Sequence, residues 1–143
     1  MAFIDLGYLE RFCRGDRSRM EKYIRMYIDA SPGQFADLAA KVAAGDAEGL
    51  ALATHSLRPQ VNYMGAHHLF EALTTIEQKA REHGAAACAE EIARSQSLNE
   101  RVVDELRTAL SWRDEVEQAI ERLVGAVRQP KASPEAPLGR VED

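Results

Sequence analysis

His55 opens the stretch His-Ser-Leu-Arg-Pro-Gln-Val-Asn-Tyr-Met-Gly-Ala, which ends at Ala66. Core-facing positions Leu50, Thr54, Leu57, Val61 and Met64 surround it at alternating steps of four and three, the spacing of one helix face. At about 100° per residue, His55 lies roughly 140° from the centre of that face. It is therefore expected at the solvent side, where an imidazole is in large part a neutral nucleophile at pH 7. Arg58, three residues on, shares its side of the helix and sets a cation beside the ring. The other histidines offer less: His67 and His68 are adjacent, so they point about 100° apart and cannot form the i, i+4 pair of a helical metal site. His83 stands near a helix C-terminus, where a cation complements the dipole.

The elements that must hold these residues are helices. Leu6, Leu9 and Phe12 predict a short first helix ending at Gly15. Met20, Tyr23, Ile24, Tyr27, Ile28, Phe35, Leu38 and Val42 predict a second over about 17–44, kinked or restarted at Ser31-Pro32. Gly45-Asp46 ends it, with Asp46 as N-cap of the His55 helix, which runs to about Tyr63. Leu69, Phe70, Leu73, Ile76 and Ala80 face inward on a fourth helix that stops at Gly84. A fifth starts near Ala86, with Ile92, Val102, Leu106 and Leu110 on one side. No alternating β-branched run appears, so the expected fold is all-α: an antiparallel up-and-down four-helix bundle with a short N-terminal helix and a helical C-terminal extension. The bundle is expected over 1–112. An amphipathic extension over 113–128 carries Val116, Ile120, Leu123 and Val127 among Glu115, Glu117, Glu121 and Arg122. Residues 129–143, with Pro130, Pro134 and Pro137, are expected to be a disordered tail.

Composition narrows the function classes. The chain has 143 residues, 45% hydrophobic and 29% charged, as in an ordinary soluble domain. A net charge of −5 argues against general affinity for nucleic acid or anionic membrane. Cys13 and Cys88 lack metal-binding spacing and read as free thiols. There is no membrane-length apolar run and no signal-peptide pattern, so a cytoplasmic location is expected. Neither a P-loop nor a Gly-rich nucleotide loop is present, so no kinase activity of its own is expected.

The setting of His55 resembles the histidine-containing phosphotransfer (HPt) family, whose pattern is roughly Ala-His-x-Leu-Lys-Gly, a helix end at Gly-Ala, then Leu and a late Glu. This chain reads Thr54-His55-Ser56-Leu57-Arg58-Pro59, then Gly65-Ala66, Leu69 and Glu77. The match is close over 50–77 and loose over the helix layout of 1–112. Arg58 stands in place of the usual Lys, and Pro59 in place of a Gly whose smallness lets a partner approach. The resemblance implies a phosphorelay intermediate: His55 accepts a phosphoryl group from a receiver aspartate or kinase module and passes it to another receiver aspartate. It further implies that Glu77 orients the imidazole and Arg58 offsets phosphate charge. No cofactor is expected on this chain, the magnesium belonging to the partner receiver. The implied partners are response-regulator receivers and a sensor (hybrid) histidine kinase.

Ala51, Leu52, Pro59 and Asn62 are the outward positions near His55, and Leu52, Pro59 and Asn62 form the candidate docking patch. Pro59 has no N–H for the His55 carbonyl and should bend the helix below the ring. Two other readings stand beside the relay. One is a helical interaction module, or degenerate HPt domain, binding a partner without transferring phosphate. The other is an enzyme using His55, Glu77 and Glu71 as acid–base groups, for which no nucleophile or metal set is present. A monomer is expected, with pairing through 113–128 as the alternative.

Overall fold

Two aspartates set where the long helices begin. The Asp16 carboxylate accepts the Arg19 N–H at 3.2 Å, and the Asp46 carboxylate accepts the Gly49 N–H at 2.9 Å. Each satisfies a first-turn amide that has no partner within the helix. They open α2 (Arg17–Ala44) and α3 (Ala47–Tyr63), with Asp46 as the cap read from the sequence. The remaining helices are α1 (Gly7–Phe12), α4 (His67–His83) and α5 (Ala89–Arg128), the last preceded by a 3-10 turn over Ala85–Cys88. The computed structural model describes residues 3–128, and no strand occurs among them.

α3 packs against both α2 and α4. α5 is tied to α2 by a buried polar chain: the Tyr27 hydroxyl donates to Asn99 Oδ1 at 2.6 Å, and Asn99 Nδ2 donates to Ser31 Oγ at 3.0 Å. Burial pushes the Tyr27 phenol well above its ordinary pKa, against a smaller opposing effect of its bond to Ser31, so it stays a neutral donor. Lys79 of α4 reaches Glu91 of α5 at 2.6 Å. Between the helices lie Ile24, Phe35 and Leu38 of α2, Leu50, Leu57 and Val61 of α3, Leu69, Leu73 and Ile76 of α4, and Ile92, Val102 and Leu106 of α5, all buried. Cys13 and Cys88 are buried and unpaired.

The restart expected at Ser31-Pro32 does not occur, and α2 continues through Pro32. Buried Ile28 and Phe35 hold the helix on either side of the proline, and Ser31 is fixed to Asn99, so tertiary contacts outweigh the one missing hydrogen bond. Ala51, expected to face outward, is fully buried. α3 has neighbours on two sides, which widens its buried arc beyond the stripe through Leu50 and Leu57.

The turn after α3 depends on Gly65, at φ +67°. A Cβ there would collide with the Asp5 backbone, and the Asp5 N–H donates to the Met64 carbonyl at 3.3 Å. The segment before α1 thus lies directly on the α3–α4 turn, and only a residue without a side chain leaves room for it.

By its internal contacts the chain divides into two compact units, Met1–Thr108 and Ala109–Asp143. The expected boundary at 112/113 falls inside α5, which stays helical to Arg128. The tail expected over 129–143 lies outside the described residues. No helix among the described residues is long and apolar enough to cross a membrane.

Candidate functional site

α3 and α4 together build the surroundings of His55. Thr54 faces the core, and its hydroxyl donates back to the carbonyls of Leu50 and Ala51 at 2.8 and 2.9 Å, so its burial leaves no unmet polar group. One residue on, about 100° around the helix, the His55 side chain is 65% exposed. Its Nδ1 lies 3.3 Å from both carboxylate oxygens of Glu77 on α4. Among the described residues its Nε2 has no hydrogen-bonding partner.

Glu77 is the hub of the cluster. Arg58 Nη1 donates to its Oε1 at 3.1 Å, and Arg81 Nη2 to its Oε2 at 3.3 Å. Burial alone would raise its pKa. The hydrogen bonds from Arg58, Arg81 and His55 outweigh that and hold the carboxyl below the usual glutamate range. Glu77 is therefore anionic at neutral pH and able to accept the imidazole N–H.

Arg58 is half-buried and lies over the Phe70 ring, 5.0 Å from its centroid. This corrects the expectation that Phe70 points to the core. One residue beyond Leu69, it sits about 100° off the buried stripe of α4 and is only half-buried. A guanidinium stacks well on an aromatic face, a contact that the resembled family's usual Lys would make with less overlap. Arg58 Nε is buried without a partner.

The structure thus brings His55, Glu77 and Arg58 together and adds Arg81, which the sequence reading missed. The signal was present: Arg81 follows Glu77 by four residues, the spacing of a helical ion pair. Leu52, Pro59 and Asn62 are all exposed on α3, with Leu52 56% accessible. Pro59 lies inside α3 and has no N–H to offer the His55 carbonyl. Glu71 is exposed and, among the described residues, shares no hydrogen bond or ion pair with this cluster, and His67, His68 and His83 are exposed as well.

The Hpt domain family model matches residues 22–126, which span all of α3, α4 and the cluster around Glu77. The chain belongs to the Hpt domain family. Domains of this family carry phosphoryl groups and interact with the receivers and kinases of phosphorelays. No curated protein and no solved structure matches the chain.

Proposed function

We propose that this protein is a histidine phosphotransfer protein whose phosphoacceptor is His55 Nε2. The observation that carries the reading is the division of labour between the two ring nitrogens: Nδ1 lies 3.3 Å from both oxygens of an anionic carboxylate, while Nε2 is without a hydrogen-bonding partner among the described residues, on a side chain that is 65% exposed. With its proton on Nδ1, held by Glu77, the ring has its lone pair on Nε2. That lone pair attacks the phosphorus of a receiver's aspartyl phosphate. The N–P bond forms as the acyl P–O bond breaks, and the bonding electrons leave with the aspartate. The positive charge developing on the ring is balanced by Glu77. The return step, to another receiver aspartate, is the reverse.

In this reading Glu77 orients and balances the ring, Arg81 and Arg58 hold Glu77, and the outer edge of the Arg58 guanidinium offsets charge on the phosphoryl oxygens. Leu52, Pro59 and Asn62 form the docking rim. The helices of the first unit are taken as an antiparallel up-and-down four-helix bundle, with α3 and α4 as adjacent members. Phosphoryl transfer demands little covalent machinery from the carrier. The chain accordingly needs no cofactor or kinase activity of its own, and the receiver supplies the magnesium.

The test is phosphoryl transfer from a panel of phosphorylated receivers to wild type and His55→Gln. Acid-labile, base-stable label on the wild type alone is the expected result. Label on neither protein from any receiver, with phosphoramidate also failing to modify His55, overturns the proposal in favour of a non-transferring interaction module.

A further inference from the structure

The second compact unit carries an apolar face that the relay reading does not use. Trp112, Val116, Ile120, Leu123 and Val127 recur at steps of four, four, three and four along α5. At about 100° per residue they fall within an arc of roughly 80°, a continuous stripe several turns long. The stripe is largely open to solvent: Trp112 is 64% exposed, Leu123 68% and Val127 85%. Scattered exposed apolar residues are ordinary, but aligned ones of this size mark an interaction surface.

Charge selects the occupant. Glu115 and Arg122 lie on the same flank of the stripe, roughly 100–120° from Val116. Both are exposed, and among the described residues neither is ion-paired. When two copies of a helix pack antiparallel along a shared seam, like flanks meet, and each contact is repeated by the two-fold axis. Setting that axis near residue 118 brings Glu115 of each copy opposite Arg122 of the other. The same register places Trp112 against Leu123 and Val116 against Ala119, large beside smaller. A parallel pair would juxtapose opposite flanks and leave both charges without these partners. An anionic membrane surface is disfavoured, because Asp114, Glu115, Glu117 and Glu121 outnumber Arg113, Arg122 and Arg128 in this segment.

We propose that the α5 stripe from Trp112 to Val127 is a self-association surface, pairing two copies of the chain antiparallel with reciprocal Glu115–Arg122 contacts. The pairing is independent of the chemistry at His55. The seam is only about four turns long, so the dimer is expected to be weak and concentration-dependent.

The test is sedimentation equilibrium of the full chain over a wide concentration range. Wild type should rise from the mass of one chain towards that of two. Glu115→Arg and Arg122→Glu should each put like charges at both reciprocal sites and weaken pairing by about tenfold. The double variant Glu115→Arg/Arg122→Glu should restore it. Circular dichroism of each variant should match wild type, since these side chains are exposed. A wild type that stays monomeric throughout, single variants that pair as well as wild type, or a double variant that does not recover would each overturn the proposal. Binding of a different protein by a strictly monomeric chain would likewise overturn it.

Discussion

Replacing Glu77 by glutamine isolates what its charge does. The substitution keeps the side-chain volume and one carbonyl acceptor. It removes the anion that lies 3.3 Å from His55 Nδ1 and takes two guanidiniums. A hydrogen bond to a charged group contributes about 1.5–3 kcal/mol, against about 1 for a neutral one. The contact is long and the ring is mostly in water, so the lower end of that range applies. The difference is then about 0.5 kcal/mol, or roughly twofold in rate. Glu77→Ala removes the acceptor altogether and should cost about tenfold. The assay is the rate of His55 labelling, first from phosphoramidate and then from a phosphorylated receiver. The small donor needs no docking surface, so a similar loss with both donors assigns the effect to the imidazole. Both variants should keep wild-type helicity at the assay temperature. Folded variants that label as fast as wild type from both donors would refute the argument that Glu77 acts on the ring.

Other expected outcomes follow from the same geometry. The depressed pKa of Glu77 means that its contribution to stability is fully present above the ordinary glutamate value of 4.5 and is lost as pH falls below it, through the folded-state value. Acid unfolding of Glu77→Gln should therefore show a shallower limb below that pH, and identical limbs would count against the ion cluster. Gly65→Ala should destabilise by at least about 2 kcal/mol in urea unfolding, because it combines a left-handed φ with a collision at Asp5, and a near-neutral result would deny the close approach. Tyr27→Phe should cost about 1–2 kcal/mol by leaving buried Asn99 Oδ1 without its donor, and a neutral effect would mean that water replaces the hydroxyl.

Much of this arrangement was legible in the sequence where a single helix decides it. The exposure of His55 and Leu52 followed from helical phase alone, and Asp46 as a cap followed from residue type and place. Where a second helix decides, phase was not enough. Ala51 is buried because α3 has two neighbours, and Phe70 leaves the core to lie under Arg58. Pro32 is carried inside α2 by contacts distant in sequence, which a local rule about proline does not weigh. Arg81 stands at the i, i+4 spacing of a helical ion pair from Glu77, but such pairs are common on exposed helix faces, and the spacing alone does not tie one to a histidine on another helix. The approach of Asp5 to Gly65 joins segments sixty residues apart, and no pattern in either one announces the other.

The three-way sharing of Glu77 has an electrostatic consequence. Two guanidiniums on one carboxylate leave the cluster one positive charge in excess while the imidazole is neutral. A phosphoryl group on the ring would bring close to two negative charges at neutral pH, against one positive charge on a ring that keeps its Nδ1 proton. On the proposed reading, the surface around His55 then loses its net positive charge on loading and regains it on release. An acidic receiver face would be drawn to the empty carrier and not to the loaded one. Salt should therefore weaken capture of the empty carrier while leaving the loaded carrier's encounter little changed, so the two halves of a relay cycle would differ in their response to ionic strength.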